Sequence, residues 1–280
     1  MGLCKGNRGN LMQHWTLCEC LGRLHDLYGS LHFVTTHSMA PWAIPVVKPD
    51  PDHCRNKFIA AGSRLAALDR SSRYEAAWKQ LSITNGLPYP SSAVLACETW
   101  KKPLTLALCE YDPNVASEID GWLSMPQTED RLQPSPVLRG DWRCLVCSPL
   151  VLNTSQQCIF VEMDPMRYDS RRKRSNVDPN GRKNCDPQSL YPEDIERLVT
   201  LLTDIETPIV LQISSFSTQN ANSLSRQRDS LSGILNLAGF NLRYETTVGD
   251  QMASFVFHRN SALPPADFRA EFSDWLGGIE

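Results

Sequence analysis

The sequence predicts an α/β fold built on one mostly parallel sheet, and three features predict it. Short β-rich runs alternate with amphipathic helical runs along most of the chain. The first such run, LHFVTTH (residues 31–37), is short and apolar, as a strand buried inside a sheet must be. The last two, NLRYETTV (241–248) and ASFVFHR (253–259), follow each other with no helix between them, so they read as an antiparallel hairpin closing the sheet. At 280 residues, 41% of them hydrophobic and 21% charged, the chain has the length and composition for one large core. One domain over 1–280 is therefore expected.

The elements follow in order. Residues 10–29 place Leu17, Leu21, Leu24 and Tyr28 on one helical face, with Gly29 as the stop. Gly22 inside this helix costs roughly 1 kcal/mol relative to alanine. After the first strand, Pro41, Pro45, Pro49 and Pro51 mark a loop, since proline fixes φ and removes a donor. Two helical patterns then form an insertion over about 53–88. LTLALCE (104–110) is a second strand, followed by a helix in NVASEIDGWLSM. PVLRGDW carries a short third strand, and QCIFVEMDP (157–165) is a fourth. PEDIERLVTLLTDIE starts a helix at Pro192, where Glu193 and Asp194 suit the positive helix end. TPIVLQIS (207–214) is a fifth strand, and a helix over 219–238 ends at Gly239. A basic loop insertion of about 166–189 contains the run Arg171-Arg172-Lys173-Arg174.

Composition removes several classes of function. A net charge of −3 excludes a uniformly basic surface but leaves room for a local basic patch. No run of 18 apolar residues occurs, and the N-terminal MGLCKGNRGN lacks an apolar signal core, which predicts a cytoplasmic chain. Gly6 stands where a myristoylation motif wants Ser or Thr. The ten cysteines then read as reduced thiols, mostly buried. The one CxxC, Cys144–Cys147, has no second pair at zinc spacing, so no metal is expected.

In an open α/β sheet, ligands bind outside the carboxyl ends of the strands. The predicted strand ends are polar: Thr35-Thr36-His37, Glu110, Asp141 and Asp164-Pro165. Each could equally be a turn former or helix cap. Together they suit a nucleoside ligand. Glu110 can accept from both hydroxyls of a ribose, and Asp141 can accept from an adenine amine. Asp164 with the adjacent Pro165 carbonyl can hold an exocyclic amine and aim its nitrogen at an electrophilic methyl group. A dinucleotide-dependent oxidoreductase fits poorly, because no G-x-G-x-x-G follows the first strand.

These segments resemble, in order and over nearly the whole chain, the RlmJ-type ribosomal RNA adenine-N6 methyltransferases. The matching segments are Gly9-Asn10-Leu11-Met12-Gln13-His14, Thr35-Thr36-His37, Tyr89-Pro90-Ser91-Ser92, Glu110, Asp141-Trp142 and Asp164-Pro165-Met166-Arg167. The resemblance implies a Rossmann-like class I methyltransferase fold that uses S-adenosylmethionine to methylate an adenine exocyclic amine in RNA. Residue by residue, it implies cofactor contacts at His14, His37, Ser92, Glu110, Asp141 and Trp142, and catalysis at Asp164 and Pro165. Arg167 or Tyr168 would stack on the substrate base. The basic run Arg171, Arg172, Lys173 and Arg174 would overhang the site and contact RNA phosphates.

The sequence departs from the family pattern at the strand-one Asp (Thr35), the glycine turn (Ser38-Met39-Ala40-Pro41), the opening Lys (Gln13), and the second Pro and the aromatic of the catalytic motif (Met166, Arg167). Two readings follow: an active methyltransferase with a shifted substrate, and a catalytically degenerate relative kept for binding or scaffolding.

Overall fold

The computed structural model describes residues 8–43, 72–85, 89–125, 132–134, 137–145, 155–165, 167–168, 189–216 and 223–278. Its strands are β1 (Leu31–Thr35), β2 (Trp42–Ala43), β3 (Tyr89–Pro90), β4 (Leu104–Glu110), β5 (Leu132–Pro134), β6 (Leu138–Arg139), β7 (Cys158–Met163), β8 (Arg167–Tyr168), β9 (Ser189–Leu190), β10 (Ile209–Phe216), β11 (Asn241–Val248) and β12 (Met252–Arg259). Its helices are α1 (Arg8–Leu27), α2 (Arg73–Asn85), α3 (Ser92–Thr99), α4 (Pro113–Leu123), α5 (Trp142–Leu145), α6 (Pro192–Leu202), α7 (Leu224–Asn236) and α8 (Phe268–Gly277).

The main sheet runs β11-β12-β10-β7-β1-β4-β5, with β6 also pairing β4. Neighbours from β10 to β5 are parallel, while β12 lies antiparallel between β10 and β11. This is the Rossmann-like methyltransferase order, with one reversed strand beside the edge, and it meets the expectation for fold class. The central strand β1 is buried along its whole length, as a strand covered on both faces must be.

Side-chain alternation sorts the sheet into two cores. Leu31, Phe33, Leu104, Leu106, Leu108 and Phe160 face α1, α3 and α8, with Phe33 and Phe160 stacked at 5.8 Å. Val34, Ile159, Val161, Leu211, Ile213 and Phe255 face α6 and α7. Gly22 proves to be a crossing point. A Cβ there would fall 1.8 Å from Arg73 Cδ, so glycine lets the Arg73 side chain pass over α1 to pair with Asp26 at 2.7 Å. Gly239, at φ +79°, closes α7 as expected of a residue in left-handed backbone.

Two ends of helices are finished by one buried cation. The Arg259 guanidinium donates to the carbonyls of Leu202 and Ile205 after α6 and reaches that of Ala238 after α7 (3.4 Å). Carbonyls at helix ends need such partners from outside the helix, and among the described residues that of Leu202 has only the Ile205 N–H (3.1 Å) besides.

Several elements go beyond the sequence reading. Helix α3 is short, with Ala93, Val94, Leu95 and Ala96 buried and Ser91 as its N-cap accepting from Val94 N–H. Helix α8 packs its Phe268, Phe272 and Trp275 into the first core. The expected third strand is split into β5 and β6. Within the helical insertion, α2 is present, and residues 53–71 and 86–88 lie outside the described residues. The basic loop at 169–188 also lies outside them, as do Met166 and Cys147. Among the described residues Cys18, Cys20, Cys97, Cys109 and Cys158 are not joined in disulfides. Burial raises the Cys109 and Cys158 thiols to about 12, and pushes Cys18 and Cys20 higher still, so these four are packing groups. No helix among the described residues is long and apolar enough to cross a membrane.

Candidate active site

Parallel pairing brings the ends of β1, β4, β6 and β7 to one edge of the sheet. The chain leaving β1 is stitched to both neighbours: Thr36 N–H donates to the Glu162 carbonyl (3.0 Å) and Ser38 N–H to the Cys109 carbonyl (2.8 Å). Ser91 N–H then donates to the Pro41 carbonyl at 3.0 Å. Among the described residues Asn260 is the only non-glycine with positive φ, so the Ser38-Met39-Ala40-Pro41 turn runs through ordinary backbone conformations. It needs no glycine to be made without strain.

Beneath this turn lies a buried polar layer. Ser92 Oγ, at the start of α3, donates to Glu162 Oε1 at 2.5 Å and lies 3.2 Å from His14 Nε2. Gln13 Nε2 also donates to Glu162 Oε1, at 3.2 Å. The Gln13 side chain also lies close enough to the Asp164 carboxyl to pull its pKa down, and its backbone carbonyl accepts from Gln212 Nε2 at 3.0 Å. Gln13 thus sits against two carboxyls as a neutral amide.

The electrostatics follow from burial, with no lysine or arginine among the described residues paired to either carboxyl. Desolvation, and after it the nearby Asp164 carboxyl, raise Glu162 to about 7 against the pull of its hydrogen bonds. Desolvation raises Asp164 to about 6. His14 is driven down to about 3 by burial, so it is neutral and can donate from Nε2 to Ser92. Glu162 was not among the residues the sequence singled out. Its only signal is one acid inside the apolar run CIFVEM, on the face shared with Phe160.

The other predicted residues divide. Asp164 is half-buried at the end of β7, and Pro165 beside it is buried. His37 is partly open, with Nδ1 2.7 Å from Thr36 Oγ1 and its ring 5.9 Å from that of Trp142. Glu110 is partly open, and Oε1 accepts from Asp112 N–H at 2.8 Å. Asp141 is committed to protein partners. It accepts from Arg143 N–H at 3.0 Å and receives Arg143 Nη1 on both oxygens at 3.2 Å. Arg143, itself missed by the sequence, also bonds Asp194 Oδ1 (2.9 Å) and the Ser189 carbonyl.

One expectation is corrected. Tyr168 was expected to offer its ring to a substrate base, but it is fully buried in the second core. Its N–H donates to Ser215 Oγ (2.9 Å) and its hydroxyl meets Ser230 Oγ (2.8 Å). Once β8 pairs β9, the Tyr168 ring points into the apolar layer beneath α7. The side chain of Arg167 and the run Arg171, Arg172, Lys173 and Arg174 lie outside the described residues.

Ser38 Oγ and Trp142 Nε1 are buried donors at this edge with no hydrogen-bond partner among the described residues. Such groups cost free energy unless something accepts from them. They fit a ligand rich in acceptors, which S-adenosylmethionine is, with a carboxylate, ribose oxygens and ring nitrogens.

No family model matches the chain, and no curated protein does. Among solved structures, the fold is similar to that of protein LPL1258 from Legionella pneumophila, of family model DUF519. The TM-score is 0.61 at 14% identity, over 98% of this chain and 92% of that one. A candidate class I S-adenosylmethionine-dependent methyltransferase from Listeria monocytogenes matches at TM-score 0.44 and 8% identity, over 100% of this chain and 73% of that one. The hMettl16 catalytic domain in complex with a MAT2A 3'UTR hairpin matches at TM-score 0.39 and 10% identity, over 91% of this chain and 70% of that one. The chain therefore shares the fold of the Legionella protein.

Proposed function

We propose that this chain is an S-adenosylmethionine-dependent methyltransferase acting on the exocyclic amine of adenine in RNA, with its reaction centre at Asp164. The observation that carries the reading is a half-buried carboxylate at the end of β7, next to a backbone carbonyl and at the edge where the parallel strands of the sheet end. When bound, S-adenosylmethionine supplies an electrophilic methyl group on a sulfonium. Ser38 Oγ, Trp142 Nε1, His37 and Glu110 are the groups that would hold it. Asp164, ionised above about 6, accepts one N–H of the amine, and the Pro165 carbonyl accepts the other. The nitrogen lone pair is thereby aimed, which is a contribution of positioning more than of proton removal.

Calorimetric titration with S-adenosylmethionine and S-adenosylhomocysteine tests the cofactor half. Glu110→Ala should weaken binding by about 1–3 kcal/mol, the usual cost of losing a charged acceptor. If the wild type shows no heat of binding at millimolar cofactor, the methyltransferase reading fails. The degenerate reading then stands, and the commitment of Asp141 to Arg143 favours it already.

The RNA half rests on the resemblance and on the basic run in the sequence. Changing Arg171, Arg172, Lys173 and Arg174 to alanine should weaken RNA binding across many sequences and flatten its dependence on salt, while cofactor affinity stays the same. Identical salt slopes for the variant and the wild type would leave the run without an RNA role.

A further inference from the structure

Glu162 is the one buried acid of the polar layer that the reaction outlined above does not use. It is 1% exposed, and the titratable groups around it are His14 and Cys18 from α1 and Asp164 on its own strand. The first is neutral, the second is a thiol held protonated by burial, and the third is a like charge. The groups that reach Glu162 are all neutral: the Ser92 hydroxyl (2.5 Å) and the Gln13 amide (3.2 Å), both on Oε1, with the Thr35 hydroxyl beside them. None of them brings the positive charge that would offset the desolvation of an ionised carboxylate. Asp164 follows β7 directly, two residues after Glu162, and the Gln13 amide lies against both carboxyls. Two carboxyls so placed, with no lysine or arginine among the described residues paired to either, do not both ionise readily.

We propose that Glu162 is a positioning residue that works in its protonated form: it anchors the Gln13 amide, and through it the carboxylate of Asp164, and leaves Asp164 as the only negative charge of the pair. The role in catalysis rests on the methyltransferase reading, whereas the protonation of Glu162 stands apart from it. The glutamine at position 13 then has a reason. A lysine there would hold both carboxyls ionised, whereas the neutral amide lets one keep its proton.

The decisive variant is Glu162→Gln, which reproduces the protonated acid: an oxygen that accepts from Ser92 and Gln13, and a donor in place of the O–H. Thermal unfolding of the full chain, read from pH 5 to pH 8.5, is the first measurement. An acid whose folded pKa is raised loses stability as pH climbs from its unfolded value toward the folded one, near 7 here. The variant should match the wild type at pH 5 and melt several degrees above it at pH 8.5. A constant offset across that range overturns the proposal. Should the variant fold poorly, pH-difference infrared spectra of the wild type decide instead. A protonated carboxyl band that titrates near 7, and moves lower in Asp164→Asn, is expected. Titration of every carboxyl below pH 5 overturns the proposal. Methyl transfer is the last readout. Glu162→Gln should keep at least half of the wild-type kcat at pH 7, and Glu162→Ala should lose at least tenfold in kcat with KM for cofactor little changed. Equal loss in both variants overturns the positioning role. A wild type that binds no cofactor but passes the melting and infrared tests removes the methyltransferase reading while the proton on Glu162 stands.

Discussion

Asp164→Ala is expected to cut methyl transfer by about 100- to 1000-fold, the usual cost of losing a fixed polar group at a reaction centre. Cofactor affinity measured by calorimetry should stay close to that of the wild type, because the groups assigned to the cofactor sit on β1, β4 and α5. The loss should not come through unfolding. Asp164 is held above its ordinary value by desolvation, so its charge costs the folded chain stability above pH 6, and removing it relieves that cost. The same shift sets an acid limb for the wild type. The rate should fall as pH drops through about 6, where Asp164 takes up a proton and can no longer accept at both oxygens. A variant that transfers methyl groups at the wild-type rate would show that β7 ends in a turn former and nothing more.

Arg143→Ala is the substitution expected to damage the fold most. The guanidinium is 3% exposed and bonds Asp141, Asp194 and the Ser189 carbonyl. Asp194 is itself buried and also accepts from Tyr191 N–H at 3.0 Å at the start of α6. Truncation leaves a buried carboxylate without its cation, which costs about 3–5 kcal/mol. The urea midpoint should fall accordingly, with a melting temperature lower by about 10 °C. Arg143→Lys should fall between, because an ammonium keeps the charge but not the planar fork that reaches three partners. Trp142 and Asp141 flank Arg143, so cofactor affinity should drop alongside. A midpoint unchanged within error would mean that solvent or another group compensates Asp194.

Much of the fold was legible because it is written in apolar runs. Each main-sheet strand longer than three residues coincides with a β-rich segment of the sequence, and α1, α4, α6 and α7 with amphipathic ones. Helix α8 could have been read too: Asp267 caps it, and Phe268, Phe272 and Trp275 recur at helical spacing. The strand ends were legible by position, but not their commitments. Nothing in Asp141-Trp142-Arg143 says that the arginine folds back onto the aspartate, since its other partner, Asp194, is 51 residues away. Tyr168 shows the same limit. A tyrosine after a strand end looks available, and only the pairing of β8 with β9 turns it inward. Glu162 was hidden because its partners come from α1 and α3, brought over the strand by tertiary packing.

The placement of α1 bears on how the chain is made. The helix is synthesised well before its partners, which lie 230 residues or more further along the chain: Thr16 Oγ1 donates to Thr246 Oγ1 at 3.0 Å, Trp15 packs on Phe268 and Phe272 at 5.4 Å, and Arg23 reaches Glu271 at 2.8 Å. At ribosomal rates of roughly 5–20 residues per second, the apolar face of α1 waits on the order of 10–50 s for these residues to emerge. The central strand waits as well, since β1 gains its second neighbour only when β7 is complete. Contacts so distant along the chain make for slow folding. A nascent chain of this topology carries an uncovered aromatic helix while the residues between α1 and its partners are made, which is the kind of surface that holdase chaperones bind.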